Sequence, residues 1–391
     1  MSHESVPLSI LDLVPISSGS TAGQALRNSV DLAQHAEELG YHRYWLAEHH
    51  LVPGVASSQP ALVIGLIAGA TRRIRVGSGA VQLGHQTALS VVEQFGILDA
   101  LAPGRIDLGL GRSGHRAKQG QEAGKPQPQP QPDSKPEPES ESEPVAAREV
   151  EGLLVPPPFH PGKLLASPRF AVHLRLLQHP GAEPRDYAEQ VDEIRALLDG
   201  TYRSPEGLDA HATPGEGADV QLWVLGSSAG ESARVAGERG LPFTANYHVS
   251  PGTVLETVAA YRKAFVPSAE LAEPLVQVSA DVVVAEDEST ARRLASGYAP
   301  WVRAIRDGRG AIPFPTPEEA AAASWTEEER RLVADRLDTQ FVGTPGQVVD
   351  GLTRLRAATG ADELLITTIT HDHADRVRSY RLLAEAWGTA G

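Results

Sequence analysis

Tyr41-His-Arg-Tyr-Trp-Leu-Ala-Glu-His-His-Leu51 is the stretch that decides the fold. A helical pattern runs up to it from about Gln24 to Leu39, and Gly40 stops that helix by supplying a left-handed residue. An apolar run with Tyr44 and Trp45 follows, and it closes on three adjacent ionisable residues, Glu48, His49 and His50. The pattern is a helix, a stop, a buried strand, and polar chemistry at the strand's carboxyl end. In parallel α/β folds that end holds ligands, because its loops vary over a rigid sheet.

The same alternation extends in both directions. Strand-like runs at 8–15, 43–47, 74–81, 105–110, 221–225, 241–245, 275–285 and 363–369 are interleaved with helical patterns. The helices are predicted at 22–39, 58–71, 87–101, 229–239, 251–265, 287–306 and 373–387, with a helix pair around 317–357. Strands that each lead into a helix imply right-handed βαβ units, and eight of them predict a (β/α)8 TIM barrel, one domain over residues 6–388.

One segment breaks the pattern. Residues 121–144 hold seven prolines, six acidic residues and two lysines, with no aromatic, Val, Ile or Leu, so nothing there offsets the entropy of ordering the chain. A disordered, Pro/Gln/Glu-rich insertion is predicted over 117–150, leaving the barrel after the fourth strand on the face that carries Glu48. Residues 151–182 regain apolar character and are expected to form a lid over the mouth.

Composition narrows the function. Fifty acidic residues against 35 Lys and Arg leave a net charge of −15, which disfavours nucleic acid and anionic membranes as partners. The absence of Cys excludes disulfides, thiolate metal sites and a cysteine nucleophile. The first residues have neither the basic start nor the long apolar core of a signal peptide, and no stretch has the length of a membrane span, so a cytoplasmic location is expected.

Three further segments belong beside Glu48 to His50. Gly77 and Gly79 at the end of the third strand permit close approach of a flat ligand, although a barrel bend would use them too. Arg112, ending the fourth, suits an anion or a neighbouring helix. Gly226, Ser227 and Ser228 carry the fifth strand into a helix, where hydroxyls and free N–H groups make an anion site or simply an N-cap. Together they imply a phosphorylated cofactor. Glu48-His-His is a conceivable metal set, but no third ligand is evident. Asp372 in His371-Asp-His373 reads first as a helix N-cap, so no metal is expected.

The ordered series LSILDLVPI, GYHRYWLAEHH, RIRVGSGAVQL, EQFGILDALAPGRIDLGLGR, LWVLGSSAGESA, FVGTPGQVVDGL and ADELLITTITHDHADRVRSYRLLAEAW resembles the bacterial luciferase-like monooxygenases. It is most similar to the subgroup known from polyketide tailoring in actinomycetes, which includes the mensacarcin-pathway monooxygenase. The resemblance spans residues 6–114 and 221–388 and implies a TIM-barrel enzyme using reduced FMN (FMNH2) and dioxygen. It implies oxygenation of an apolar or aromatic small molecule through a C4a-peroxyflavin, in the setting of secondary metabolism. By the same resemblance His49 assists proton transfer at the flavin edge, with Glu48 and His50 orienting it or shaping the cavity. Ser78, Gly79 and Ala80 match a strand end carrying a non-prolyl cis peptide beneath the isoalloxazine. Arg112 and the Ser227, Ser228 loop match the phosphate grip, and Leu13 and Val14 lie against the ring.

The chain also departs from the family. Gly111 stands where luciferase has a cysteine, so light emission is not implied. Leu83-Gly-His-Gln86 replaces the subgroup's usual LPNH, and Ser-Gly-His follows Arg112 in place of Ala-Pro-Gly. With no GxGxxG site for NAD(P)H on a Rossmann unit, a separate flavin reductase is expected as a partner, and related barrels commonly form homodimers. Two alternatives share the scaffold: an F420-dependent oxidoreductase, and a non-catalytic flavin-binding accessory subunit.

Overall fold

The structure is a computed structural model describing residues 6–112, 146–160, 162, 168–178, 183 and 185–389. The strands are β1 (Leu8–Asp12), β2 (Arg43–Leu46), β3 (Arg75–Ser78), β4 (Val81–Gln82), β5 (Ile106–Gly111), β6 (Arg148–Val150), β7 (Leu153–Val155), β8 (Val220–Gly226), β9 (Phe243–Asn246), β10 (Val276–Val284), β11 (Phe341–Gly343) and β12 (Glu363–Thr367). Strands β1, β2, β3, β5, β8, β9, β10 and β12 pair in that order, all parallel, and β12 returns to β1 through Leu8↔Leu364 and Ile10↔Ile366. The sheet is a closed eight-stranded TIM barrel, as predicted from the alternation.

The helices are α1 (Ala22–Glu38), α2 (Pro60–Ala70), α3 (Ala88–Leu101), α4 (Pro168–Leu177), α5 (Tyr187–Leu198), α6 (Glu231–Glu238), α7 (Val254–Ala264), α8 (Glu288–Ala295), α9 (Tyr298–Arg306), α10 (Pro317–Ala322), α11 (Glu327–Asp338), α12 (Pro345–Thr359) and α13 (His373–Trp387). Strand residues alternate between two cores, as a period of two requires. Leu8, Ile10, Tyr44 and Leu46 pack between barrel and helices, whereas Leu11, Leu13, Trp45, Ala47, Trp223 and Leu365 fill the interior. The lower interior is polar: Arg43 donates to Asp107 at 2.8 Å, Gln221 at 2.7 Å and Glu363 at 3.2 Å, so the buried charges are paired. Trp45 and Trp223 meet edge to face above it, with centroids 5.2 Å apart. This rigid floor positions the strand ends that carry the site.

Three expectations need correction. The helix predicted over 287–306 is two, α8 and α9, because Pro300 has no N–H for Ser296 and its ring crowds that carbonyl. Gly297 fills the joint, where a Cβ would lie 2.7 Å from the Phe314 ring. The helix pair around 317–357 is three helices, with β11 between the last two, adding to β10 outside the barrel. Helix α5 occupies a stretch for which no element was predicted.

The disorder predicted for 121–144 concerns residues outside those described. Arg148–Val150, also assigned to the insertion, instead pairs with Leu153–Val155 as a hairpin. Its two turn residues, Glu151 and Gly152, have φ of 52° and 73°, the signs a tight two-residue hairpin turn requires. Beyond it, Tyr247 donates to the Leu154 carbonyl at 2.7 Å, and Arg306 lies 4.0 Å over the Phe159 ring. The first part of the expected lid thus packs against the loop after β9 and against α9.

Candidate active site

The loop after β2 brings Glu48, His49 and His50 to the barrel mouth. His49 N–H donates to the Ser57 carbonyl at 2.8 Å, and the Ser57 hydroxyl donates to the Ala47 carbonyl, which fixes the loop. Buried Glu48 is the hub. Its Oε1 accepts from His50 Nε2 at 2.8 Å and from His85 Nε2 at 2.7 Å, while its Oε2 accepts from the Gln82 N–H at 3.0 Å. Burial raises the Glu48 pKa, but hydrogen bonds from His50, His85 and Gln82 outweigh it and hold the carboxyl below its ordinary range. The His50 and His85 rings meet edge to face at 4.9 Å. Motif reading noted His85 only as part of a departure, in Leu83-Gly-His-Gln86, and did not include it in the site.

Across the mouth stands a second set of side chains that sequence reading missed entirely. His248, after β9, is hydrogen-bonded through Nδ1 to Ser279 Oγ at 2.5 Å. Burial, then the charges of Arg336 and His49, lower its pKa to about 3, so the imidazole is neutral. Arg336 of α11 is buried against Tyr298, with Nε 3.1 Å from the phenol oxygen and Nη2 3.2 Å from Asp281. None of these residues lies near Glu48 in sequence, and only the closed barrel brings them to face it.

The third group lies at the ends of β5 and β8. Arg112 forms an ion pair with Glu231 in the first turn of α6. Ser227 and Ser228 are exposed in the loop between β8 and α6. Asn246 donates to Ser227 Oγ at 3.1 Å and Thr253 donates to the Ser227 carbonyl at 2.7 Å, so the loop is braced from β9 and α7. Tyr187 of α5, another residue missed in sequence, donates to the Leu110 carbonyl at 3.2 Å, and burial raises its phenol pKa.

Between these groups the strand ends are cut back. A Cβ on Gly79 would lie 2.9 Å from Leu11 and 3.2 Å from Trp45, and one on Gly111 would lie 3.1 Å from the Ala80 methyl. The Gly79–Ala80 peptide is cis. Ser78 is committed within the sheet, its hydroxyl bonded to the Gly109 N–H and carbonyl at 3.0 Å each. Gly226 is packed against the Phe243 ring, leaving no room for a side chain. Leu13 belongs to the interior core, but Val14 packs in the outer one, its N–H donating to Asp12 and its carbonyl accepting from the Ala56 N–H. Thr367 pairs in register with Asp281 at the top of β10, and its buried hydroxyl has no hydrogen-bond partner among the described residues.

The luciferase-like monooxygenase family model matches residues 6–133 and 169–363. The chain is 37% identical over 386 residues to the Bacillus subtilis (strain 168) protein YvbT, covering 97% of this chain and 96% of that one. Over 108 residues, 28% of this chain and 32% of the other, it is 52% identical to the N-acetyl-S-alkylcysteine monooxygenase of the same organism. Among solved structures, apo-MsnO8 is 31% identical with a TM-score of 0.75, covering 99% of this chain and 98% of that one. The oxygenating constituent of 3,6-diketocamphane monooxygenase of Pseudomonas putida, in complex with FMN, shares the fold at 18% identity and a TM-score of 0.62, over 98% and 97% of the chains. An F420-dependent secondary alcohol dehydrogenase shares it at 12% identity and a TM-score of 0.60, over 98% and 99%. With the closed barrel and its polar mouth, the extent of these matches makes the chain a member of the luciferase-like monooxygenase family.

Proposed function

We propose that the protein is the oxygenating component of a two-component system, taking FMNH2 from a separate NAD(P)H-dependent flavin reductase and oxygenating an apolar or aromatic small molecule. The observation that carries this reading is the anion grip at one edge of the mouth, where Arg112, Ser227, Ser228 and the N-terminus of α6 converge. The residues fit the flavin. Gly79 and Gly111 let the strand ends pack closely against Leu11, Trp45 and Ala80, a flat support for a ring, and the buried Thr367 hydroxyl has no hydrogen-bond partner among the described residues.

When bound, reduced flavin supplies the electrons that activate dioxygen. The chain's own part is to hold and enclose it. Arg112, now paired with Glu231, would hold the phosphate, and the braced Ser227, Ser228 loop would add hydroxyl and backbone donors. Ser78, Gly79 and Ala80 would support the ring, with Leu13 and Val14 just beyond the end of β1. His49 assists proton transfer at the ring edge, and Glu48 with His50 fixes the loop that carries it. The apolar interior, with Leu11, Trp45 and Trp301, excludes water from the reacting centre.

The test is anaerobic titration with FMNH2 and, in parallel, F420, followed by rapid mixing with dioxygen. Binding of FMNH2 and a transient absorbance unlike that of oxidised or reduced flavin, altered in His49→Ala, is expected. Binding of F420 alone would make the protein a deazaflavin oxidoreductase, and binding of FMNH2 with no such transient would leave a flavin-binding accessory subunit. The local similarity to an N-acetyl-S-alkylcysteine monooxygenase makes S-alkylated N-acetylcysteines the first substrates to offer. A homodimer is proposed through α2 and α3, where Leu62, Leu66, Ile97 and Leu101 are exposed.

A further inference from the structure

We propose that Glu48, His50 and His85 form a binding site for a divalent transition-metal ion at the barrel mouth, with Zn2+ as the ion whose chemistry fits best. The sequence motif alone offered two ligand types and no third. His85 completes the set from a different loop, the short turn Leu83–His85 that leads into α3.

Glu48 Oε1 lies 2.8 Å from His50 Nε2 and 2.7 Å from His85 Nε2, and the three ligand atoms lie within 4.8 Å of one another. Around an ion with bonds of about 2.1 Å, adjacent ligand atoms stand roughly 3.0 to 3.4 Å apart, so the two Glu48–His separations need to open by a few tenths of an ångström while the His50–His85 separation, within 4.8 Å, settles toward the same range. Two N–H groups now converge on one carboxylate oxygen. A single cation replaces both protons, each neutral imidazole carrying its proton on Nδ1 instead, which is the usual form of a metal-bound histidine.

The surroundings suit a ligand set. Glu48 is buried and His50 and His85 are nearly so, which removes most competing water. The Gln82 N–H holds the second carboxylate oxygen at 3.0 Å and the Gln82 side chain donates to the Glu48 carbonyl at 2.6 Å, an outer layer that fixes the carboxylate's orientation. Two imidazoles and one carboxylate leave a coordination position for water or another small ligand. The ion would cross-link the loop after β2 to the loop before α3. It takes no part in electron transfer.

This inference stands apart from the flavin reading, and its test does not use activity. The full chain, stripped with a chelator and dialysed, is titrated with ZnCl2 by calorimetry in competition with a chromophoric chelator. One equivalent should bind tightly, and X-ray absorption at the zinc edge should show two imidazole nitrogens and a carboxylate oxygen. His85→Asn should weaken binding by about 100-fold or more, since losing a direct ligand exceeds the ~10–100-fold cost of losing an outer partner. Circular dichroism of the variant checks that it folds. If it does not, the absorption spectrum of the unmodified protein decides alone. Absence of saturable one-to-one binding, equal affinity in folded His85→Asn, or a zinc environment without two imidazoles would overturn the site. FMNH2 binding by the zinc-free protein is scored separately, so either proposal can fail without the other.

Discussion

Arg376, early in α13, donates to Asp12 at the end of β1 across 2.7 Å, and both side chains are buried. The last helix is thereby tied to the first strand by an ion pair beneath the mouth. Asp12 also accepts from the Tyr44 hydroxyl at 2.5 Å, the Val14 N–H at 2.8 Å and the Ser29 hydroxyl. Burial raises its pKa, but Arg376, Ser29 and Tyr44 together hold it below the ordinary aspartate value. Asp12→Asn would leave Arg376 buried without its counter-ion, and should cost about 3–5 kcal/mol in urea unfolding. A depressed carboxyl contributes stability that is fully present above its unfolded value, near 4, and lost as pH falls through its lower folded value. The parent's acid-side loss below about pH 4 should therefore be shallower in the variant.

His248 predicts a second pH window. Its folded pKa, about 3, is far below that of a free imidazole. Stability from this group is full above about pH 6.5 and declines as pH falls toward the folded value, at about 1.4 kcal/mol per pH unit. Between pH 6.5 and 5 the parent should lose up to about 2 kcal/mol that His248→Gln does not. Equal slopes in urea unfolding across that range would show that the neutral imidazole is not the cause.

The proposed phosphate grip predicts a contrast between ligands. Ser228→Ala and Arg112→Ala each remove a donor to a charged group, worth about 1.5–3 kcal/mol, or roughly 10- to 100-fold in FMN affinity. Riboflavin, which lacks the phosphate, should bind both variants about as well as the parent. Parallel loss of riboflavin binding would place these residues elsewhere.

Gly109 tests the floor. A Cβ there would lie 2.1 Å from the Ser78 carbonyl oxygen and 2.8 Å from Leu225. Gly109→Ala must push β3 from β5 and break the Ser78 bridge, costing about 1–3 kcal/mol or more and lowering the melting temperature.

The exposed apolar face of α2 and α3 makes an assembly prediction. Leu66 and Leu101 are 61% and 80% exposed. Leu66→Glu combined with Leu101→Glu should yield monomers in sedimentation equilibrium with the fold intact. Monomeric parent protein at micromolar concentration would remove the dimer.

The barrel was legible because each of its eight strands is an apolar run bounded by turn residues, a signal local to each segment. The break at Gly297 was not, because Pro300 is tolerated near a helix start and only the start at Tyr298 makes it so. The site was half legible. Glu48, His49 and His50 announce themselves as polar residues at a strand end, and Ser227 and Ser228 as hydroxyls before a helix. His85, His248, Tyr187 and Arg336 are ordinary residues in their own segments. His85 meets Glu48 through the pairing of β2 with β3, and the others come from segments far along the chain, which no local pattern encodes.

Barrel closure has a consequence for how the protein is made. Because Leu8–Ile10 pairs with Leu364–Ile366, the first strand to leave the ribosome has one of its two neighbours among the last. Until β12 and α13 emerge, β1 and β10 present unpaired edges, and Asp12 lacks the arginine that matches it. The barrel therefore cannot close before β12 emerges. Until then those nascent edges, absent from the completed sheet, are what the chain exposes to misassembly.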